Sequence, residues 1–165
     1  MTAPRESVAL GRREGSTTVD AEFFLARSAD EVFAFFAEVQ NLQAITPAWL
    51  DFRIVTSLPI EMRAGAIIDY RLRVRGIPLR WKTEITAWEP PRRFVDVQRR
   101  GPYLSWEHED TFEARDGRTL VRDRVEYRVF GGAWIDRLFV APDVRRIFIH
   151  RNVSSKSHID ENRVR

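Results

Sequence analysis

Hydrophobic and polar residues alternate along several stretches in the middle of the chain, which is the pattern of half-buried β-strands. Between residues 65 and 75, Ile68, Tyr70, Leu72 and Val74 alternate with charged residues. Further strands are predicted at residues 17–26, 50–56, 79–88, 94–99, 104–113 and 120–130. Short turns containing glycine or proline separate most of them. About seven strands joined in this way predict an antiparallel sheet.

Helical periodicity follows the first of these strands. Ser28 and Glu31 have the spacing of a capping box, in which the side chain of each residue accepts a hydrogen bond from the backbone amide of the other. Apolar residues then recur at helical spacing through Val39. A second short helix is predicted over residues 41–46, before Pro47. Strand one is therefore followed by two short helices.

The last quarter of the chain, residues 131–160, predicts one long amphipathic helix, which Pro142 kinks or splits. Its large apolar members are Trp134, Leu138, Val144, Ile147, Phe148 and Ile159. A long helix that follows a sheet has to bury its apolar stripe against that sheet. The predicted class is α+β, with a curved antiparallel sheet wrapped around the terminal helix and a cavity between them.

The length of 165 residues predicts one domain, and we place it at residues 17–160. Residues 1–16 are polar and without a pattern, so we predict a disordered N-terminal segment. The chain has no cysteine, which excludes disulfides and thiolate chemistry. It contains neither a secretory signal nor an apolar run of the ~20 residues that a membrane span needs. We therefore expect a cytoplasmic protein without an integral membrane segment.

The net charge is +3, and most of the positive charge is arginine. Arg71, Arg73 and Arg75 alternate along one strand face, with acidic residues on neighbouring strands. A nucleic-acid-binding protein usually concentrates its basic residues in one patch. We interpret the arginines as part of a solvated sheet face with cross-strand ion pairs, and expect no nucleic-acid partner.

The order of elements resembles the helix-grip fold of the START-like, Bet v 1-like (SRPBCC) superfamily. The stretches that carry the resemblance are residues 36–42, 45–47, 76–81, 89–94, 101–103, 106–108 and 145–148, together with Gln98, Asp123 and Tyr127. The likeness spans about residues 17–151. Within the superfamily, the chain is most similar to a bacterial ligand-binding group often labelled with polyketide cyclases. It implies binding of sterols, lipids, aromatic polyketides or plant hormones, and in a minority of members cyclisation or dehydration. The chain has Asp110 where a second histidine after His108 would be expected.

The hairpin around Asp116 and Gly117 can be paired from the sequence, because a two-residue turn defines its register. Arg115 then faces Arg118, and the pairs on one face are Trp106–Tyr127, His108–Val125, Asp110–Asp123 and Phe112–Val121. The aromatic and aliphatic members mark this face as buried, so His108, Asp110 and Asp123 point inward. Three interpretations stay open: a structural network, a polar end that orients a ligand, and a catalytic acid–base group.

Large side chains in phase with the inner faces suggest the walls of a partly hollow interior. The predicted ligand-binding residues are Trp49, Tyr70, Trp81, Gln98, Trp106, His108, Tyr127 and Phe148. We place Trp49 at the mouth of the cavity and Arg80 on the outer face. Because a two-histidine, one-carboxylate site needs a second histidine, no metal is predicted. No phosphate loop or dinucleotide motif is present, and no cofactor is expected.

Three functions fit these features. The first is binding or transport of a hydrophobic or aromatic small molecule, such as a lipid, a polyketide or a quinone-like compound. The alternative is a cyclase or dehydratase that uses His108 with Asp110 or Asp123 as acid and base. The third is an interaction module that passes a lipid or quinone to a protein partner that the sequence does not identify.

Overall fold

The structure, a computed structural model, describes residues 6–161, with side chains through residue 159. Its strands are β1 (Ser7–Arg13), β2 (Ser16–Leu25), β3 (Arg53–Ile54), β4 (Ile67–Val74), β5 (Ile77–Glu89), β6 (Arg93–Arg100), β7 (Ser105–Arg115) and β8 (Arg118–Arg128). They form one antiparallel sheet in the order β1-β2-β8-β7-β6-β5-β4-β3. The predicted α+β class and antiparallel sheet are confirmed.

Two short helices follow β2, as predicted, and a long helix ends the described chain. The helices are α1 (Ala29–Ala37), α2 (Val39–Ile45), α3 (Gly132–Ile135) and α4 (Ala141–Glu161). The capping box at the start of α1 is present: the Glu31 amide donates to the Ser28 hydroxyl, and the Ser28 amide donates to the Glu31 carboxylate. Pro47 follows α2 closely, and a single 3₁₀ turn, Ala48–Leu50, leads back toward the sheet.

Strand β1 lies where the sequence predicted disorder, so that prediction is wrong for Ser7–Arg13. The strand pairs along its whole length with β2, and Arg12 reaches the buried Asp136 at 3.1 Å. Only Val8 and Leu10 alternate as large apolar residues, which is too short a pattern to stand out on an edge strand. Residues 1–5 of the predicted segment lie outside the described residues.

The strand predicted over residues 50–56 forms only the two-residue β3. Leu50 closes the 3₁₀ turn, and Asp51 takes a positive φ of 42°, which ends the turn in a left-handed conformation. An extended strand cannot pass through that conformation. The sheet therefore has one strand more than the seven that the sequence predicted, and the additional strand is β1.

The terminal helix is interrupted before Pro142. A single π-helical turn, Asp136–Val140, separates the short α3 from the long α4. Trp134 and Leu138, predicted to lie in the buried stripe, are 68% and 51% exposed, so that part of the prediction is wrong. The buried residue of the π-helical turn is Asp136, at 2% exposure.

Helix α4 packs its apolar side chains on the sheet from Val144 onward. Val144 and Phe148 lie in a buried cluster with residues of β2 and β8, and Ile159 lies in another with Phe23 of β2 and Phe33 of α1. A third cluster joins α2 to β4. The helices therefore cover one face of the sheet, and the functional side chains described below project from that face.

Candidate functional site

The β7–β8 hairpin brings three polar side chains to the covered face of the sheet. Its register is the predicted one, with Asp110 opposite Asp123 and His108 opposite Val125. Asp116 and Gly117 both have positive φ, as a two-residue hairpin turn of this kind requires. Because the register of a strand decides which face each side chain occupies, His108, Asp110 and Asp123 are all buried.

His108 lies between two carboxylates. Its Nδ1 is 3.0 Å from Asp96 Oδ2, and its Nε2 makes a short hydrogen bond to Asp123 Oδ1. A neutral imidazole can donate from only one nitrogen, so only the imidazolium satisfies both carboxylates. Burial alone would lower the pKa of His108, but the carboxylates of Asp110, Asp123 and Asp96 outweigh it and raise that pKa well above its ordinary value.

Arg151 of α4 supplies a second buried cation, which the sequence analysis missed. Its Nε is 3.4 Å from Asp123 Oδ2, and its Nη2 is 3.9 Å from Asp110 Oδ2. Burial raises the pKa of the Asp123 carboxyl, but Arg151 and His108 together overcome this and hold it below its ordinary range. Asp123 is therefore the ionised partner of both cations.

Asp96 of β6 is the third carboxylate of the network. Its Oδ1 accepts a hydrogen bond from the Thr83 hydroxyl at 3.0 Å, and its Oδ2 faces His108. The sequence analysis did not single out Asp96, because the pairing of β6 with β7 was not predicted. We call Asp96, His108, Asp110, Asp123 and Arg151 the polar network.

Asp110 differs from the other two carboxylates. Its Oδ2 is 3.5 Å from His108 Nε2, whereas its Oδ1 is buried and has no hydrogen-bond partner among the described residues. Burial and the repulsion of Asp123 raise the pKa of Asp110 to about 7, against the opposing pull of His108 and Arg151. This carboxyl group therefore exchanges a proton near neutral pH.

The polar network forms part of the wall of a cavity of about 180 Å³. The rest of the wall is mainly aromatic and aliphatic, from α1, α2, the strands β4–β7 and α4. Of the predicted ligand-binding residues, Tyr70, Trp81, Trp106, His108 and Phe148 line it. The rings of Trp81 and Trp106 meet edge-to-face at 5.1 Å. Burial raises the pKa of Tyr70, so its hydroxyl stays neutral.

The other three predicted ligand-binding residues lie elsewhere. Trp49 lines a second, outer groove and has the Arg146 guanidinium 4.2 Å above its ring. The Gln98 amide donates to the Tyr103 carbonyl at 2.9 Å and so braces the β6–β7 loop. Tyr127 is on the predicted inner face, but its hydroxyl donates to Asp136 at 2.9 Å. Neither Gln98 nor Tyr127 lines the cavity or the groove.

The outer groove, of about 610 Å³, adjoins the cavity. The two share five wall residues, which are Leu50, Val74, Pro102, Tyr103 and Ile147. These residues come from the 3₁₀ turn, β4, the β6–β7 loop and α4. The partition between the two spaces is thus built from residues of four separate segments of the chain. Trp49 and Phe139 lie along the outer side.

The donor set does not fit a resident metal ion. His108, Asp110 and Asp123 offer ligand atoms within 4.8 Å of one another. However, His108 Nε2 and Asp123 Oδ1 are already bonded to each other, and the Arg151 guanidinium lies 3.4 Å from Asp123. Two cationic side chains therefore occupy the positions where a metal would neutralise these carboxylates.

Comparison with solved structures supports the fold. Protein Ms6760 from Mycobacterium smegmatis superposes with a TM-score of 0.69 at 15% identity, over 94% of this chain and 99% of that one. The protein TTHA0849 from Thermus thermophilus gives 0.63 at 18% identity, over 89% and 96%. The major latex-like protein 151 from Panax ginseng gives 0.66 at 12% identity, over 88% and 98%. At these identities the likeness concerns the fold alone.

The sequence comparisons add the family. No curated protein matches this chain. The family model described as polyketide cyclase / dehydrase and lipid transport matches residues 25–148, which include the whole β7–β8 hairpin and most of the cavity wall. Within the described residues, no helix combines the length and the apolar character needed to cross a membrane. The chain belongs to the polyketide cyclase/dehydrase and lipid transport family.

Proposed function

We propose that this protein binds a hydrophobic or aromatic small molecule in the cavity between the sheet and α4. The observation that carries the proposal is the composition of the cavity wall, which is mainly aromatic and aliphatic and contains one charged network. Small-molecule sites typically combine an apolar lining with a few placed polar groups that orient the ligand. The family's link with ligand binding supports the same function.

The size of the cavity limits the part of the ligand that it encloses. A dry apolar cavity of about 150 Å³ in another protein accommodates benzene. A cavity of about 180 Å³ therefore suits one aromatic ring with small substituents. The adjoining groove of about 610 Å³ offers room for a further portion of a longer ligand, such as a lipid or quinone-like tail.

Native mass spectrometry of the freshly purified protein tests this function. We expect a discrete excess mass of a few hundred daltons that is lost on denaturation and recovered by solvent extraction. For an apo preparation, titration with one-ring aromatics should quench the fluorescence of Trp81 and Trp106, which line the cavity. Absence of both a resident ligand and any saturable quenching would contradict the proposal.

A second candidate is acid–base catalysis of the cyclase or dehydratase kind. The observation that favours it is Asp110, whose pKa of about 7 suits a group that gives and takes a proton. His108 is a poor general base, since both ring nitrogens are engaged by carboxylates. A turnover screen with aromatic polyketides, in which Asp110→Asn is inactive, would establish this function. The interaction module and the cytoplasmic location stay predictions of the sequence.

A further inference from the structure

The polar network contains more acidic than basic groups. Asp96, Asp110 and Asp123 are its three carboxylates, and the His108 imidazolium and the Arg151 guanidinium are its two cations. With all five groups ionised, one negative charge is left without a partner. A buried unpaired charge is costly and is usually removed by a proton or matched by an opposite charge.

The unmatched charge lies on Asp110. Asp123 contacts both cations, and Asp96 is bonded to His108 and to Thr83, so these two carboxylates are occupied. Asp110 lines the cavity and is only 1% exposed, and its Oδ1 accepts no hydrogen bond from any described residue. The network thus leaves one carboxylate oxygen of a cavity-wall residue without a hydrogen-bond donor from the described part of the chain.

Apart from the other members of the polar network, the cavity wall that includes Asp110 is mainly apolar. Phe94 lies opposite Asp110 on β6, and Phe35 and Phe36 of α1 also line the cavity. A neutral hydroxyl could hydrogen-bond to Oδ1, but it would leave the excess charge in place. A protonated amine would donate to Oδ1 and supply the missing positive charge in the same contact.

We propose that the ligand of this cavity is a small arylalkylamine, whose ammonium group pairs with Asp110 and whose ring packs among the cavity's aromatic side chains. The proposal rests on the function proposed above and specifies its ligand class. One ammonium balances the polar network, and one ring fills a cavity of this size. A carboxylate ligand would instead add a second unmatched negative charge.

The proposal predicts a pH dependence for binding. The charged groups that face Asp110 are His108 on its own strand, Asp123 on β8, Asp96 on β6 and Arg151 on α4. Without ligand, the pKa of Asp110 is about 7, and an ammonium binds only to the ionised form. The affinity for an amine should therefore rise about tenfold between pH 6 and pH 8, where a primary alkylamine stays protonated. A neutral alcohol of the same shape should show no such rise.

Isothermal titration calorimetry of the full chain with 2-phenylethylamine, 2-phenylethanol and phenylacetate tests this at pH 6 and pH 8. We expect the amine to bind at least tenfold more tightly than the alcohol at pH 8, and phenylacetate to bind weakest. Repeating the pH 6 titration in buffers of different ionisation enthalpy should reveal close to one proton released per amine bound, because Asp110 has to ionise.

Two variants locate the effect. Asp110→Asn should bind the alcohol as the wild type does and lose the preference for the amine. The matched control is Glu107→Gln, which removes one charge from the exposed face of the same strand and should keep the preference. The pH dependence and the proton release are measured on the wild type, so they test the proposal even where a variant fails to fold.

The outcomes separate the ligand class from the function. Tighter binding of phenylacetate, equal binding of alcohol and amine, or an amine preference retained in Asp110→Asn would overturn the amine proposal while ligand binding itself stands. Absence of binding for all three probes, with no resident ligand in native mass spectrometry, would overturn the proposed function as well.

Discussion

Among the residues that the structure describes, carboxylates are buried in two places, and the two are built differently. Asp136, in the π-helical turn, accepts hydrogen bonds from Thr17 at 2.6 Å, Tyr127 at 2.9 Å and Arg12 at 3.1 Å. Asp110, in the cavity wall, has one oxygen with no hydrogen-bond partner among the described residues. We call the Asp136 group the anchor cluster and compare it with the polar network.

The difference shows what each group is suited to do. In the anchor cluster, one carboxylate meets one cation and two hydroxyl donors, so a further ligand would find nothing to bind. The polar network has three carboxylates for two cations and borders a cavity. A fully paired buried carboxylate stabilises the fold, whereas a partly paired one beside a cavity leaves binding capacity for a ligand.

The largest expected effect comes from removing a cation from the polar network. Arg151→Met should lower the free energy of unfolding by about 3–5 kcal/mol, because the three carboxylates of the polar network would then share only His108. Urea unfolding followed by far-UV circular dichroism at pH 7 measures the change. Arg145→Met, on the exposed side of the same helix, is the control and should stay within about 0.5 kcal/mol of wild type. A similar small loss in both variants would contradict the importance of the buried pairings.

Next in size is the loss of the anchor cluster. Asp136→Ala should lower the free energy of unfolding by about 2–4 kcal/mol, because the buried hydroxyls of Thr17 and Tyr127 lose their acceptor. The same urea titration measures it, with the surface variant Asp143→Ala as the control at about 1 kcal/mol or less. Ligand affinity of the folded variant should be unchanged. A loss of ligand affinity in folded Asp136→Ala would contradict the assignment of the anchor cluster to stability and of the polar network to binding.

The smallest expected effect has the opposite sign. Asp110→Asn should raise the free energy of unfolding by about 1–2 kcal/mol at pH 8, because it removes the unmatched charge. The folded pKa of Asp110, about 7, lies above its usual unfolded value of about 3.9, so its contribution to stability is present below pH ~4 and is lost as the pH rises through 7. The gain over wild type should therefore shrink toward pH 4.

Urea titrations of wild type and Asp110→Asn at several pH values between 4 and 8 follow this difference. Because the titrating groups outside the polar network are common to both proteins, subtraction isolates Asp110 together with the groups that interact with it. Glu107→Gln, on the exposed face of the same strand, is the control for loss of one carboxylate. A gain that grows toward acidic pH would contradict the raised pKa of Asp110.

The inward position of His108, Asp110 and Asp123 could be predicted because two local rules were enough. A two-residue turn sets the register of a hairpin, and strand alternation then decides the face of each side chain. The predicted pairing of Asp110 with Asp123 is the observed one. Short-range geometry thus located three of the five members of the polar network.

Contacts made across the fold were beyond the same reasoning. Arg151 lies on α4, and its approach to Asp123 depends on how the helix is rotated against the sheet. No apolar period in the sequence predicts that rotation, and the π-helical turn before α4 interrupts the regular helical spacing. Alternation also placed Tyr127 and Gln98 on the inner face without deciding which stretch of that face borders the cavity, so Tyr127 belongs to the anchor cluster and Gln98 to a loop.

The place of β2 in the sheet affects how the chain folds. β2 lies between β1 and β8, and its pairing with β8 joins Thr17 to Tyr127 across most of the sequence. The anchor cluster likewise needs Arg12 and Asp136 together. During synthesis, one edge of β2 has no partner strand until β8 has left the ribosome. Such long-range closure slows folding and prolongs the exposure of apolar surface, so we expect the nascent chain to depend on chaperones.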